Sequence, residues 1–186
     1  MTNFGVQVID RERLEKLFHE HGDLNYKWIN PEDVVVSQWV RFKCMFGCEV
    51  YGTKGSCPPN VPSITECREF FKEYEHAVVF HFQQQFDNPD ERHNWSKKLN
   101  LKLIDVEREV FLAGYQKAFL LFMDECAICQ ECTAVREECE HKKLSRPCPE
   151  SLGVDVFTTV RKLGLPIEVL TEKTQVMNRY SFLLIE

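Results

Sequence analysis

Residues 118–132 read AFLLFMDECAICQEC, a short apolar run that leads directly into three cysteines. The run Ala118–Met123 has the length and apolar character of a buried strand. The three cysteines follow at successive spacings of three, as in the C-x2-C-x2-C run of ferredoxins, where thiolates hold the corners of an iron–sulfur cubane. We therefore expect a strand that leads into a metal-binding loop.

The spacing of this loop bears on which metal it binds. Zinc sites usually take two thiols from each of two separated knuckles, so a third cysteine at the same spacing favours a [4Fe-4S] cluster over zinc. Zinc and metal-free redox thiols remain alternatives. The expected ligands are Cys126, Cys129 and Cys132, with a fourth from Cys139 or Cys148. Cys139 is our first choice because its surroundings are polar, whereas Cys148, flanked by prolines, also fits a small apolar residue at a helix start.

A second, looser cysteine set lies in the first half of the chain. Cys44, Cys48 and Cys57 have the spacing C-x3-C-x8-C, and glycines and prolines surround them. Small residues let backbone N–H groups approach cluster sulfurs, which tunes the reduction potential. Cys67 would complete four thiolates, although its place on the apolar face of a predicted helix also fits a packed core cysteine.

Composition and charge restrict the class of protein. The chain has 186 residues, of which 44% are hydrophobic and 28% charged, which is typical of one soluble globular domain spanning 1–186. We find no apolar run of membrane-spanning length and no secretory signal, so we expect a reducing, cytoplasmic location. Nine cysteines there point to metal binding rather than disulfides. With a net charge of −6 and no basic run, we expect a redox protein as partner, and neither nucleic acid nor membrane insertion.

Hydrophobic periodicity and capping signals predict an α/β protein, a compact sheet with flanking helices. Both cysteine regions contain C-x8-C-P, which suggests an internal repeat of strand, cysteine loop, helix and strand. The expected helices cover Asp10–His21, a segment from Ser63, the stripe Trp95–Val110 and a segment from Pro149. The expected strands are Val34–Val40, His76–Phe82, Ala118–Met123, Ile167–Leu170 and Tyr180–Ile185, and we expect an irregular loop from Cys44 onward.

The cysteine motifs and their flanking residues together resemble the DUF2284 family. The resemblance rests on R-x-K-C-x3-C-x-x-Y-G from Arg41, S-C-P-P-N-V-P-S from Ser56, and the second cysteine loop followed by R-P and E-S-x-G-V-D-V, and it spans roughly Arg41–Val160. It implies a small, predicted metal-binding protein of iron–sulfur type, of a kind found mostly in anaerobic prokaryotes, with no established substrate. It places Cys44, Cys48, Cys57 and Cys67 in one site and Cys126, Cys129, Cys132 and Cys139 in another.

This sequence departs from the family pattern at two places. Glu140-His141 stands where arginine and proline are usual, and Arg146-Pro147-Cys148 stands where R-P-S is usual. The second departure makes Cys148 an additional thiol. From these observations we expect an iron–sulfur protein with two [4Fe-4S] clusters that transfers electrons as a carrier or as a subunit of a larger redox system. The alternatives are a zinc-stabilised interaction module and an enzyme with a cluster iron open to substrate.

Overall fold

The computed structural model describes residues 9–22, 24–88, 90–172 and 174–186. Within them, five α-helices flank a four-stranded antiparallel sheet of order β1-β2-β4-β3, which confirms the α/β class. None of the helices described is both long enough and apolar enough to cross a membrane. The strands are β1 (Tyr26–Ile29), β2 (Ala77–Gln84), β3 (Phe119–Leu121) and β4 (Met177–Leu184). The helices are α1 (Arg11–Glu20), α2 (Gln38–Gly47), α3 (Ile64–Lys72), α4 (Glu91–Leu112) and α5 (Val156–Lys162).

The sheet is buried on both faces, which explains the continuous apolar run predicted for β2. β2 and β4 pair along their full lengths, from Ala77 opposite Leu184 to Gln84 opposite Met177. Val78 belongs to the core on the side of α1 and α4, and Val79 belongs to the core on the side of α3 and α5. Alternate side chains of a strand point to opposite faces, so two helical layers require apolar residues at successive positions.

Three helices predicted from sequence are confirmed. Asp10 caps α1 by accepting a hydrogen bond from the backbone N–H of Arg13. Ser63 and Glu66 form the expected capping box at the start of α3, in which each side chain accepts from the backbone N–H of the other residue. α4 runs to Leu112, and Leu103, Val106 and Val110 of its stripe pack in the core.

The predicted strand Val34–Val40 is wrong, because residues from Gln38 form α2 and only Val36 makes a bridge, to Val154. The expected loop therefore begins only at Cys48, because α2 includes Cys44 and ends at Gly47. The consecutive β-branched residues favour a strand, but tertiary contacts outweigh that preference. Val40 is buried, and the Arg41 guanidinium donates hydrogen bonds to the carbonyls of Pro62 and Ser151, which hold the segment as a helix.

Two predictions near the C-terminus are also wrong. The segment after Pro149 forms a 3-10 turn and then α5, because Gly153 has φ +81° and interrupts the helix, after which Asp155 caps α5. Ile167–Leu170 is irregular: Val169 is 73% exposed, so the stretch lacks the burial that a strand would need. The sequence prediction also missed β1, and the internal repeat is not confirmed, because two of its strands are absent.

A buried ion pair joins α4 to the segment that carries Cys148. The Glu107 carboxylate, which is buried, accepts a hydrogen bond from the backbone N–H of Leu120 at 2.8 Å. The same carboxylate binds the Arg146 guanidinium at two points, 2.9 Å to Nε and 2.7 Å to Nη2. This pair therefore covers the outer edge of β3 and holds the chain two residues before Cys148.

We predict that Glu107→Ala lowers the free energy of unfolding by about 3–5 kcal/mol, because it leaves Arg146 without its counter-charge and the Leu120 N–H without an acceptor. Asp105→Ala, at an exposed position on the same helix, is the control and should change it by about 0.5 kcal/mol or less. Urea denaturation at equal metal content measures both. Equal stabilities of the two variants would contradict the structural role of this pair.

Candidate metal centres

Four cysteines border one cavity of about 330 Å³ between α2, the loop after it and the turn before α5. They are Cys44, Cys48, Cys57 and Cys148. The rest of the lining is mainly apolar, including Trp39, Val154 and Phe157, with a few charged groups. We call this the first cavity.

Local structure places each of these thiols. Cys44 lies in the last turns of α2, Cys48 follows at the C-cap, and both border the first cavity. Cys57 is in a turn, where its N–H donates to the carbonyl of Lys54 and its carbonyl accepts from Asn60. Cys148 follows Pro147, whose carbonyl accepts from the N–H of Phe122 at 2.9 Å, just after β3.

Arg41 and backbone contacts bring the two halves of the first cavity together. Arg41 binds the carbonyl of Ser151, and the Cys44 thiol lies 3.8 Å from the carbonyl of Glu150. The Ser37 N–H donates to Gly153, and the Asp155 N–H donates to Val35. The turn that carries Cys148 is therefore held against α2, more than one hundred residues away in sequence.

The surroundings disfavour free thiolates in the first cavity. Burial, then the negative charges of Cys48 and Glu125, raise the pKa of Cys57 to about 12. Burial, then Glu150, raises the pKa of Cys148, and burial, then Cys48, raises that of Cys44. Several thiolates can share this cavity only with a compensating cation, so the donor set fits a bound metal centre.

A charged wall lies on one side of the first cavity, formed in part by Asp124, Glu125 and Glu150. Asp124, at φ +113°, binds Arg92 at 2.5 Å and Arg179 at 3.4 Å. Positive φ is costly for a residue with a side chain, and such strain is found preferentially at functional sites. Glu150 borders the cavity, where desolvation by the surrounding protein raises the pKa of its carboxyl group.

The second cysteine loop surrounds a smaller cavity of about 10 Å³, roughly the space of one water. We call this the second cavity. The loop is held from outside, since Lys97 donates to the carbonyl of Ile128 and Asn60 to the carbonyl of Ala134, both at 2.7 Å. Partial burial, then the charges of Cys132 and Cys126, raise the pKa of Cys129. The second cavity is lined by His141 and by all four predicted thiols, those of Cys126, Cys129, Cys132 and Cys139.

Gly55 and Ser56 join the first cysteine loop to the second cavity. A Cβ at Gly55 would lie 3.3 Å from the carbonyl oxygen of Val135, so the two loops pack backbone against backbone. Ser56 is 6% exposed, lines the second cavity, and its hydroxyl has no hydrogen-bond partner among the residues described. A buried, unused O–H donor beside four sulfur atoms fits a group with negatively charged sulfurs.

The two cavities share a wall. Ser56 borders the second cavity and Cys57 the first, while Glu125 borders the first and Cys126 the second. At both places two consecutive residues border different cavities, so the two cavities are neighbours. The negative charge of Cys126 contributes to the raised pKa of Cys57, as this proximity requires.

Cys67 lies apart from both cavities. It is 2% exposed, packs in the core with Phe71, and its thiol is 3.7 Å from the carbonyl of Pro62. It borders a different cavity, of about 340 Å³, with Pro62 and Leu152. Cys67 is therefore packed in the core, which is the alternative to a ligand role that its place on the apolar face of a helix suggested.

The structure thus groups Cys148, rather than Cys67, with Cys44, Cys48 and Cys57, and groups Cys139 with the second loop. One sequence signal could have grouped Cys148 with Cys57: each is followed by a proline, and both cysteines border the first cavity. The roles of Arg41 and Ser56 had no signal in the spacing of the cysteines. Within the parts of the chain that the structure describes, no three Cys, His, Asp or Glu side chains converge on one metal-ion position.

Comparison with known proteins gives one match. The family DUF2284, described as "Predicted metal-binding protein", matches residues 27–185, which is most of the chain. No curated protein and no solved structure matches significantly. The matched region contains all nine cysteines and both cavities. The chain therefore belongs to DUF2284, a family of predicted metal-binding proteins.

Proposed function

We propose that this protein is an iron–sulfur protein that holds two [4Fe-4S] clusters and transfers electrons, as a carrier or as a subunit of a larger redox system. The observation that carries the proposal is that eight of the nine cysteines border two adjacent cavities, four to each. The proposed ligands of the first cluster are Cys44, Cys48, Cys57 and Cys148. Those of the second are Cys126, Cys129, Cys132 and Cys139.

We assign Cys148 to the first ligand set in place of Cys67 because of where the two side chains lie. A cluster ligand must reach the same cavity as its partners, and Cys148 borders that cavity whereas Cys67 packs against Phe71. Flanking prolines hold the backbone of Cys148, and the Ser151 N–H and hydroxyl both bind its carbonyl. This segment is thus rigid before any metal binds, as a ligand position requires.

The bound clusters would supply reversible one-electron chemistry at a potential that the protein sets. The protein contributes the thiol ligands, the mainly apolar lining of the first cavity and the hydrogen-bond donor Ser56 beside the second. Gly55 allows the two loops to approach without a side chain between them. The shared wall keeps the two centres close, which suits electron passage between them.

Zinc remains the main alternative metal, because four cysteines can also bind Zn²⁺. In that case the metals would only hold the loops in place and the protein would serve as an interaction module. The third cysteine at equal spacing in the second loop favours the clusters over zinc. The second cavity has the space of one water, so a cluster there requires the cysteine loop to move outward on binding, whereas a single zinc ion does not.

We predict that anaerobically purified protein contains about eight iron and about eight acid-labile sulfide per chain, as two [4Fe-4S] clusters require. Metal and sulfide analysis measures this content, and electron paramagnetic resonance of the reduced protein shows the number and type of clusters. Stoichiometric zinc without sulfide would contradict the proposal and support the interaction module.

We further predict that Cys148→Ala loses about half of the bound iron and sulfide, because it removes one ligand of the first centre. Cys67→Ala is the matched control and should retain the full content while losing about 1 kcal/mol of stability through reduced core packing. Iron analysis and urea denaturation separate the two effects. Loss of iron in Cys67→Ala with retention in Cys148→Ala would restore the ligand set expected from sequence.

Ser56→Ala should lower the reduction potential of the second centre by about 20–60 mV. A hydrogen bond to sulfur stabilises the more negative, reduced state, and a net 0.5–1.5 kcal/mol corresponds to this range for one electron. Ser96→Ala is the control, since Ser96 is also buried but donates to the carbonyl of His93 within α4. Redox titration followed by electron paramagnetic resonance measures both. An unchanged potential in Ser56→Ala would show that the hydroxyl does not donate to the centre.

A further inference from the structure

A third cavity of about 340 Å³, the one that Cys67 borders, lies between the first cysteine loop, α3 and β3. Its size falls within the range of about 300–1,000 Å³ that small-molecule sites occupy in proteins. Most of its lining is apolar, and it includes the rings of Phe70 and Phe119, which meet edge to face with their centroids 5.3 Å apart. The other apolar residues of the lining are Val61, Pro62, Pro147 and Leu152. An apolar or aromatic molecular body therefore fits this cavity.

One cation borders the third cavity without a counter-charge. Arg136 is half-buried, and its guanidinium makes no ion pair within the residues that the structure describes. Its Nη2 donates to the carbonyl of Lys142 at 3.3 Å, whereas Nη1 is buried and has no hydrogen-bond partner among those residues. A charged N–H group that has lost water without gaining an acceptor is unfavourable. An acceptor bound in the third cavity beside Arg136 would supply the missing partner.

The other ionisable groups at the third cavity are already engaged. The Arg146 guanidinium is paired with Glu107, at 2.7 and 2.9 Å. Glu66 is exposed, so water screens its charge, and its carboxylate accepts from the backbone N–H and the hydroxyl of Ser63. Burial raises the pKa of the Cys67 thiol, so this side chain adds no negative charge at neutral pH. The charge that an occupant has to match is therefore that of one guanidinium, which favours a monoanion.

The shape of a guanidinium favours a carboxylate as that anion. Its N–H groups form a planar fork that can pair with both oxygens of a carboxylate. A phosphate group carries close to two charges at pH 7, and Arg136 is the one basic side chain of the described lining that is left without an acid. An apolar body with a single carboxylate thus matches both the apolar lining and the charge.

The third cavity adjoins the second cavity. Gly55, Ser56 and Ser145 border both of them. Asn60, which also lines the third cavity, ties the two cysteine loops together on this side, because its amide donates to the carbonyls of Lys54 and Ala134. An occupant of the third cavity therefore lies beside the second cysteine loop.

We propose that the third cavity is a binding site for a small organic carboxylate, with the carboxylate group on Arg136 and the apolar body against Phe70, Phe119 and Leu152. This site goes beyond the electron-transfer function proposed above. It depends on neither clusters nor zinc, because the residues that carry it lie outside the eight proposed ligands. The two proposals can therefore fail separately.

The test uses isothermal titration calorimetry on the full chain loaded with metal, at neutral pH. Phenylacetate and hexanoate are the probes, phenethylamine is a molecule of similar shape and opposite charge, and inorganic phosphate is an anion without an apolar body. Arg136→Gln removes the charge, Arg136→Lys keeps it, and Val61→Phe fills the cavity. Arg108→Gln and Val169→Phe are the matched controls, since both positions are exposed and lie outside the lining. The metal content of every variant is measured first, because Arg136 belongs to the second cysteine loop.

We expect both carboxylates to bind saturably at a single site. Arg136→Gln should weaken this binding about tenfold or more, as loss of a charge-assisted hydrogen bond predicts, and Arg136→Lys only about threefold, because it keeps the charge but loses the planar fork. Val61→Phe should weaken it at least about tenfold by occupying the space, with both controls within about twofold of the unaltered chain. Phenethylamine and phosphate should each bind at least about tenfold more weakly than phenylacetate.

No saturable binding of either carboxylate would overturn the proposal. So would phosphate or phenethylamine that binds as tightly as phenylacetate, or an unchanged affinity in both Arg136→Gln and Val61→Phe. If Arg136→Gln loses metal, Val61→Phe and Arg136→Lys decide, and unchanged affinity in Val61→Phe then overturns the site. Iron and sulfide analysis tests the clusters independently, so zinc in a chain that binds phenylacetate would refute only the electron-transfer function.

Discussion

The pairing of β2 with β4 is the interaction on which the rest of this structure depends. These two central strands pair over eight residues each and bury both faces. α1 and α4 pack on one of those faces, and α3 and α5 pack on the other. β3 joins the same sheet beside β4 and leads straight into the second cysteine loop.

Polar contacts outside the sheet then determine which cysteines meet. The Phe122–Pro147 hydrogen bond and the Glu107–Arg146 pair hold the return of the second loop against β3. Arg41 and the Val36–Val154 bridge hold the next turn against α2. Cys148 therefore lies beside Cys44 through contacts that neither cysteine makes itself. The surrounding backbone therefore holds Cys148 in position, in the way that outer contacts usually hold the ligands of metal sites.

The common wall between the cavities brings the two proposed centres together. At this wall Cys57 borders the first cavity and Cys126 the second, and Ser56 lies beside the second cavity. If both centres are clusters, electrons would pass between them across this wall. Cys48 is the exposed thiol of the first cavity.

Much of the fold could be predicted from sequence because its signals are local. The capping box at Ser63, the cap at Asp10 and the stripe of α4 act within one or two helical turns, so their residue patterns suffice. Val34–Val40 could not be predicted, because a β-branched run that favours a strand is overridden by the contacts of Val40 and Arg41. β1 is four residues long and mixed in polarity, so its pairing with β2 left little pattern to recognise.

The candidate metal centres likewise have a part that the sequence predicts and a part that only the fold decides. Sequence alone determined the grouping of Cys126, Cys129 and Cys132, because closely spaced cysteines in one loop stay close however the chain folds. It left the fourth position open between Cys139 and Cys148, and the structure places Cys139 at the second cavity. Only the tertiary structure decided between Cys67 and Cys148 as the companion of Cys44, Cys48 and Cys57. Cys67 is ten residues from Cys57, yet α3 turns its side chain into the core, whereas Cys148 is brought from ninety-one residues away by hydrogen bonds to α2 and β3. Spacing is preserved within a loop, but proximity between distant segments depends on packing that no local pattern encodes.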